Sequence, residues 1–115
     1  MNSCVYMGRI TNELELSKTN GGVSVLNFSI AVRKQNGNGE NDSDFLPCVA
    51  YGSTAEFIER NTMKGCRIML RCRNTSQTYE DKETKKTVYK TVSKVEEADI
   101  IDFKEDKVNP DIANG

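Results

Sequence analysis

The run VSVLNFSIAVR, residues 23–33, places Leu26, Phe28, Ile30 and Val32 at alternate positions, with Asn27, Ser29 and Arg33 pointing the other way. Successive side chains of a β-strand face opposite sides, so a period of two marks a strand with one buried and one solvated face. The pattern recurs in CRIMLRCR, residues 66–73, where Ile68, Leu70 and Cys72 oppose Arg67, Met69, Arg71 and Arg73. CVYMGRI, residues 4–10, offers an earlier strand ending in a conformationally free Gly8, and TVYKTVSKV followed by ADIIDF supplies a last strand or pair of strands. Turns are marked by TNGG at 19–22, NGNGENDS at 36–43 and EDKETKK at 80–86, all rich in Asn, Gly and charge.

One segment departs from this period. GSTAEFIERNTMKG, residues 52–65, has the Ser53-x-x-Glu56 spacing of a capping box, apolar Phe57 and Ile58, and Gly65 placed as a stop. About five strands with one short helix between the third and the fourth is the layout of an all-β, five-stranded Greek-key barrel, the OB-fold, whose sheet face and loops commonly bind single-stranded nucleic acid or oligosaccharide. A helix-poor β-sandwich is the alternative, but it usually needs more strands and gives no reason for a capped helix at that point. The expected organisation is one OB-fold domain over residues 1–104 and a short, acidic, disordered tail over 105–115.

The 115 residues, 37% hydrophobic and 29% charged, suit one ordinary globular domain. No apolar run approaches the roughly 18 residues that span a bilayer, and the N-terminal MNSCVYMGRITNE lacks the features of a signal peptide, so a cytoplasmic protein with no membrane association is expected. The four cysteines form no C-x-x-C pair and there is no histidine, which argues against a metal site and for small buried thiols in a reducing compartment. The net charge of −1 hides a segregation: residues 96–115 carry seven acids against two lysines, −5 in formal charge, which leaves residues 1–95 at +4. A basic body suits a polyanion partner, although charges scattered for solubility would look the same.

The stretch DFLPCVAYG, residues 44–52, carries the candidate chemistry. Its alternation sets Phe45, Pro47, Val49 and Tyr51 on one side and Leu46, Cys48 and Ala50 on the other, and the second set is small and apolar enough to be the core face. Phe45 and Tyr51 would then be displayed outward about 20 Å apart at ~3.3 Å per residue, a spacing for two bases along one strand. On the next strand Arg71, Arg73, Gln77 and Tyr79 share the parity opposite to Ile68 and Leu70. Binders of single strands need this mixture of aromatic faces for bases and cations for phosphates. Periodicity alone leaves the reverse open, with Phe45 and Tyr51 in the core or buried between subunits. Pro47 cannot donate a ladder hydrogen bond, so its strand should be an edge or bulged there.

MGRITNELELSKTNGGVSVLNFSIAVRK, DFLPCVAYGSTAEFIERNTMKG and TYEDKETKKTVYKT, in this order and spacing, resemble consecutive blocks of the bacterial and phage single-stranded DNA-binding protein family, over about residues 3–103. The resemblance implies an OB-fold assembled as a homotetramer, with a dimer as the alternative. It further implies sequence-independent binding of single-stranded DNA in replication, recombination and repair, in the cytoplasm at the nucleoid. The family's stacking positions match Phe45, Tyr51 and Tyr79, and the phosphates are expected to meet Arg33, Lys34, Lys64, Arg71, Arg73, Lys82, Lys85 and Lys86.

A further stacking aromatic that the family often carries has no counterpart in VRKQNGNG near Asn36, and KEDKVNPDIANG lacks the family's acidic tip with its final aromatic, which leaves two readings: this member does not recruit replication and repair enzymes, or the sequence is trimmed. No cofactor and no turnover are expected, since the chain offers no histidine base, and neither NGNGE nor TNGG continues into the lysine and helix of a phosphate-binding loop. The alternative function is an OB-fold protein-interaction or primosome-type accessory module with weak DNA affinity.

Overall fold

The computed structural model of the chain describes residues 1–34 and 42–105. Six strands, β1 (Cys4–Ile10), β2 (Leu16–Lys18), β3 (Ser24–Arg33), β4 (Ser43–Tyr51), β5 (Arg67–Glu80) and β6 (Thr87–Ile100), accompany one helix, α1 (Gly52–Asn61). The sheet runs β1-β5-β6-β4-β3-β2 and closes on itself where β1 also pairs with β3, through Arg9↔Ala31 and Ile10↔Ile30. All pairings are antiparallel except β4 with β6, which run parallel through Cys48↔Ser93 and Val49↔Lys94. The five longer strands thus form the expected Greek-key ring with α1 between its third and fourth members.

The additional strand, β2, is three residues long and exposed throughout, too short to register as a period. It shares one edge of β3 with β1, pairing Leu16↔Leu26 through Lys18↔Ser24. TNGG makes the connecting turn, with Thr19 N donating to Val23 O at 2.8 Å and Gly22 at φ 85°. TVYKTVSKV and ADIIDF contribute to one continuous strand, β6, whose register with β5 shifts between Arg71 and Cys72 so that Glu96 opposes no residue.

Alternation delivers the core as expected. Leu26, Phe28 and Ile30 of β3, Cys48 and Ala50 of β4, and Ile68, Leu70 and Cys72 of β5 meet inside the ring with Ile10 and Val95. Ala55 and Ile58, three apart on one face of α1, join the same core. Phe57 stays exposed.

Two local readings are corrected. The capping box does not form: Tyr51 is the N-cap, without a side-chain cap hydrogen bond, and Glu56 Oε1 accepts instead from Ser24 Oγ at 2.9 Å. Helix α1 opens directly at Gly52, φ 62°, so Ser53 lies inside the first turn, two residues past the capping position. Gly8 serves close approach rather than freedom, because a Cβ there would stand 2.5 Å from the carbonyl oxygen of Ala31 where β1 leans on β3. Gly65, φ 93°, does turn the chain after α1, and its N–H donates to Ile10 O at 2.8 Å.

The β5–β6 hairpin reaches beyond the ring. β1 pairs with β5 up to Cys72, and β4 meets β6 only at Ser93 and Lys94, so residues 73–92 stand without a neighbouring strand on either side. Asp81 organises the tip, its Oδ1 accepting from the N–H groups of Glu83 and Thr84. Among the described residues no helix is long and apolar enough to cross a membrane. The expected tail from residue 106 onward, and most of NGNGENDS, lie outside the described residues.

Candidate nucleic-acid interface

The outer face of β4 is built by its neighbours. Its pairing with β3 is regular from Val25↔Tyr51 to Arg33↔Ser43, so the two-residue period holds along the strand and Phe45 and Tyr51 share the face away from the core. Phe45 is 66% exposed and Tyr51 38%, whereas Cys48 and Ala50 are buried and Leu46 half-buried. The same register opposes Pro47 to Ser29 without a bulge. Since the β4–β6 pairing begins one residue later, at Cys48, Pro47 sits on an open edge, where a missing N–H costs nothing.

Val49 departs from the expected outward display. It is on the outer parity yet only 3% exposed, because Asn27 of β3 and Lys94 of β6 flank it on both sides. Lys94 has its Nζ 5.5 Å from the centroid of the Tyr51 ring, within cation–π range, and it opposes Arg73 on β5. Tyr51, Lys94 and Arg73 therefore form one row of ring and cations.

From that row the outer face continues up the hairpin through Thr75↔Val92, Gln77↔Lys90 and Tyr79↔Val88, and Tyr79 is 54% exposed. Where β6 parts from β4, a hollow of about 290 Å³ opens between Asn27 and Pro47 on one side and Gln77, Lys90 and Val92 on the other. Phe45 and Tyr51 on β4 and Tyr79 on the hairpin do not line this hollow; each is exposed on the outer parity of its strand.

The cations distribute unevenly. Arg33 and Lys34 follow the Phe45 end of the face, with Lys34 Nζ 3.4 Å from Asp42 and 3.8 Å from Asp44. Arg73 is exposed, and among the described residues it has no ion pair. Lys82, Lys85 and Lys86 crowd the exposed hairpin tip. Lys64 lies apart, on the turn between α1 and β5, nearly the length of β5 away from Tyr79. Arg71 is already engaged: it reaches Glu96 at 3.0 Å and Glu97 at 3.4 Å, and these carboxylates hold its guanidinium above its ordinary value, Glu97 most strongly. An incoming phosphate would have to displace both.

Sequence reasoning missed Lys90 and Lys94. Their common parity in TVYKTVSKV was the available signal, but their face depends on the parallel register with β4. It also passed over Tyr89, at 75% exposure the most open aromatic side chain among the described residues, which opposes Thr78 on the other face of the hairpin from Tyr79. The missing aromatic near Asn36 concerns residues outside those described.

A closed Greek-key barrel with a helix after its third long strand, displaying rings and cations along one strand face, is an OB-fold of the oligonucleotide-binding kind. The comparison with family models is specific: the model described as the single-strand binding protein family matches residues 1–101, and the chain belongs to that family. It is 34% identical over its whole length to a single-stranded DNA-binding protein of Lactiplantibacillus plantarum, of which it spans 58%. It is 37% identical over 95% of its length to one of Fusobacterium nucleatum, spanning 70% of that protein. Single-stranded DNA-binding protein 3 of Listeria innocua is 32% identical over 99% of the chain, which spans 72% of that relative.

Proposed function

We propose that this chain binds single-stranded DNA without reading its sequence, as a passive partner in replication, recombination and repair at the nucleoid. Bases stack on Phe45, Tyr51 and Tyr79. Phosphates meet Arg33, Lys34, Arg73, Lys82, Lys85 and Lys86, together with Lys90 and Lys94. The observation that supports this reading is the exposure of three aromatic rings on the outer parity of β4 and β5, one of them paired with a cation, Lys94 over Tyr51 at 5.5 Å. Ring faces are sequence-tolerant platforms because every base has a π-face.

The protein works as a homotetramer or dimer. Val5, Met7 and Met69 are exposed on the outer face of β1 and β5, where Met7 directly opposes Met69, and a second copy would remove this apolar patch from water.

Titration with oligo-dT, read together with light scattering, tests both halves by reporting affinity and stoichiometry at once. Stacking contributes about 1–3 kcal/mol per base, so Phe45→Ala and Tyr79→Ala should each weaken binding roughly 5- to 150-fold on all single strands alike. Wild-type affinity in both variants would remove the site assignment, and equal affinity for duplex would remove the function.

A further inference from the structure

The outer face does not end at Phe45. The register pairs Ala31↔Phe45 and Arg9↔Ala31 carry one row from β4 across β3 to β1, and Arg9↔Arg67 extends it to β5. Directly opposed residues share a face of the sheet, so Arg9 and Arg67 lie on the same side as the Phe45 ring, and all three are exposed. Two interstrand spacings put Arg9 about 10 Å from Phe45. The residue between them in the row, Ala31, contributes no more than a methyl group.

A hollow opens beside this row. β1 pairs with β3 only through Arg9 and Ile10; toward its N-terminus it stays with β5, while Val32 and Arg33 stay with β4, so the two strands part. In the fork lies a hollow of about 320 Å³ lined by Arg9, Ala31, Arg33, Ser43 and Arg67, with no acidic side chain among the described lining residues. Met7, from the apolar patch assigned to a second copy, also lines it. The three cations are differently occupied. Arg67 Nε and Nη2 hold both oxygens of Asp102, at 2.9 and 3.0 Å. That carboxylate reaches Arg9 only at 3.9 Å, and Arg9 Nη1 donates to Gly65 O at 3.0 Å, which leaves Nε and Nη2 of Arg9 without a partner among the described residues. Arg33 has no ion pair among the described residues. Three guanidinium groups thus meet one carboxylate, and the two with donors to spare, Arg9 and Arg33, are the two closer to Phe45.

We propose that single-stranded DNA leaving Phe45 turns across β3, over Ala31, and that a phosphate beyond it is held in this hollow by Arg9 together with Arg33. The inference rests on the DNA-binding reading above and adds to it a contact, Arg9, and a direction for the strand. A guanidinium suits the role because its planar fork meets phosphate oxygens through paired hydrogen bonds. Arg67 is a positioning residue: by holding the Asp102 carboxylate it keeps that charge from neutralising Arg9.

Two measurements on the full chain test this. The first needs no variant: wild-type protein is treated with p-hydroxyphenylglyoxal, which modifies accessible guanidinium groups, with and without saturating oligo-dT, and the modified arginines are mapped by peptide mass spectrometry. Arg9 and Arg33 should react in the free protein and be protected by the oligomer, whereas Arg60, exposed on α1, should react equally in both. An Arg9 that reacts equally with and without DNA, or one unreactive in the free protein because a second copy covers it, would overturn the proposal. The second compares the slope of log K against log salt for the wild type, Arg9→Gln and Arg9→Lys. One phosphate contact on a single strand accounts for about 0.7 of slope, so Arg9→Gln should be shallower by about that much while Arg9→Lys keeps the wild-type value. An unchanged slope in Arg9→Gln, or an equal loss in both variants, the mark of a structural role, would also overturn it. Wild-type protein that fails to bind oligo-dT would remove the DNA-binding function itself; binding that Tyr79→Ala weakens while Arg9 stays unprotected would remove this contact alone.

Discussion

Replacing Gly8 by alanine tests whether the ring closes as tightly as the structure requires. In a site with room, the substitution should stabilise the protein by about 0.4–1 kcal/mol, because alanine restricts the unfolded chain more than glycine does. Here the new Cβ would lie 2.5 Å from Ala31 O, 3.0 Å from Ala31 C and 3.2 Å from a methyl group of Val32. Restoring an ordinary contact means separating β1 from β3 by nearly an ångström beside the two residue pairs, Arg9↔Ala31 and Ile10↔Ile30, that close the barrel. Backbone cannot swing aside as a side-chain end can, so the ladder there stretches, and overpacking of this kind costs about 1–3 kcal/mol. The net expectation is a loss of about 1–2 kcal/mol, or roughly 4–16 °C in thermal midpoint at ~4–8 °C per kcal/mol. Gly21→Ala is the internal control, since its Cβ would meet only Thr19 Oγ1 at 3.9 Å, and it should be neutral or slightly stabilising. Thermal and urea unfolding of the two variants decide the matter. A Gly8→Ala protein as stable as the wild type, or more so, would refute the close approach and with it the geometry of ring closure.

The remaining predictions concern the DNA surface. If about five phosphates are neutralised, log K should fall against log salt with a slope near −3.5 on single strands, and an affinity indifferent to salt would contradict the electrostatic part of the model. Arg73→Ala should make that slope shallower by about 0.7, whereas Arg71→Ala should leave it unchanged, because Glu96 and Glu97 already hold that guanidinium. A loss of slope in the Arg71 variant equal to that in the Arg73 variant would show that the carboxylates yield to DNA. Tyr89→Ala removes the most exposed ring but from the far face of the hairpin; oligo-dT affinity should change less than about twofold, and a loss like that of Tyr79→Ala would mean that DNA wraps both faces.

The strands and their inner and outer faces were legible in the sequence because side-chain direction in a strand is a local property. Leu26, Phe28 and Ile30, or Ile68 and Leu70, need only their own spacing to declare a core side. The same locality put Phe45 and Tyr51 together on one side of their strand and located the helix and the Asn- and Gly-rich turns, but which side faces out was settled by the fold. What the tertiary structure alone decided is which residues from distant segments become neighbours, since a strand's period carries no record of the register in which it meets another. That register buried Val49 between Asn27 and Lys94, set Lys94 over Tyr51, gave Arg71 to two glutamates and brought Cys4 opposite Cys72. It also assigned Glu56 to Ser24 instead of to its own helix terminus, and turned Gly8 from a flexible joint into the point where two backbones meet.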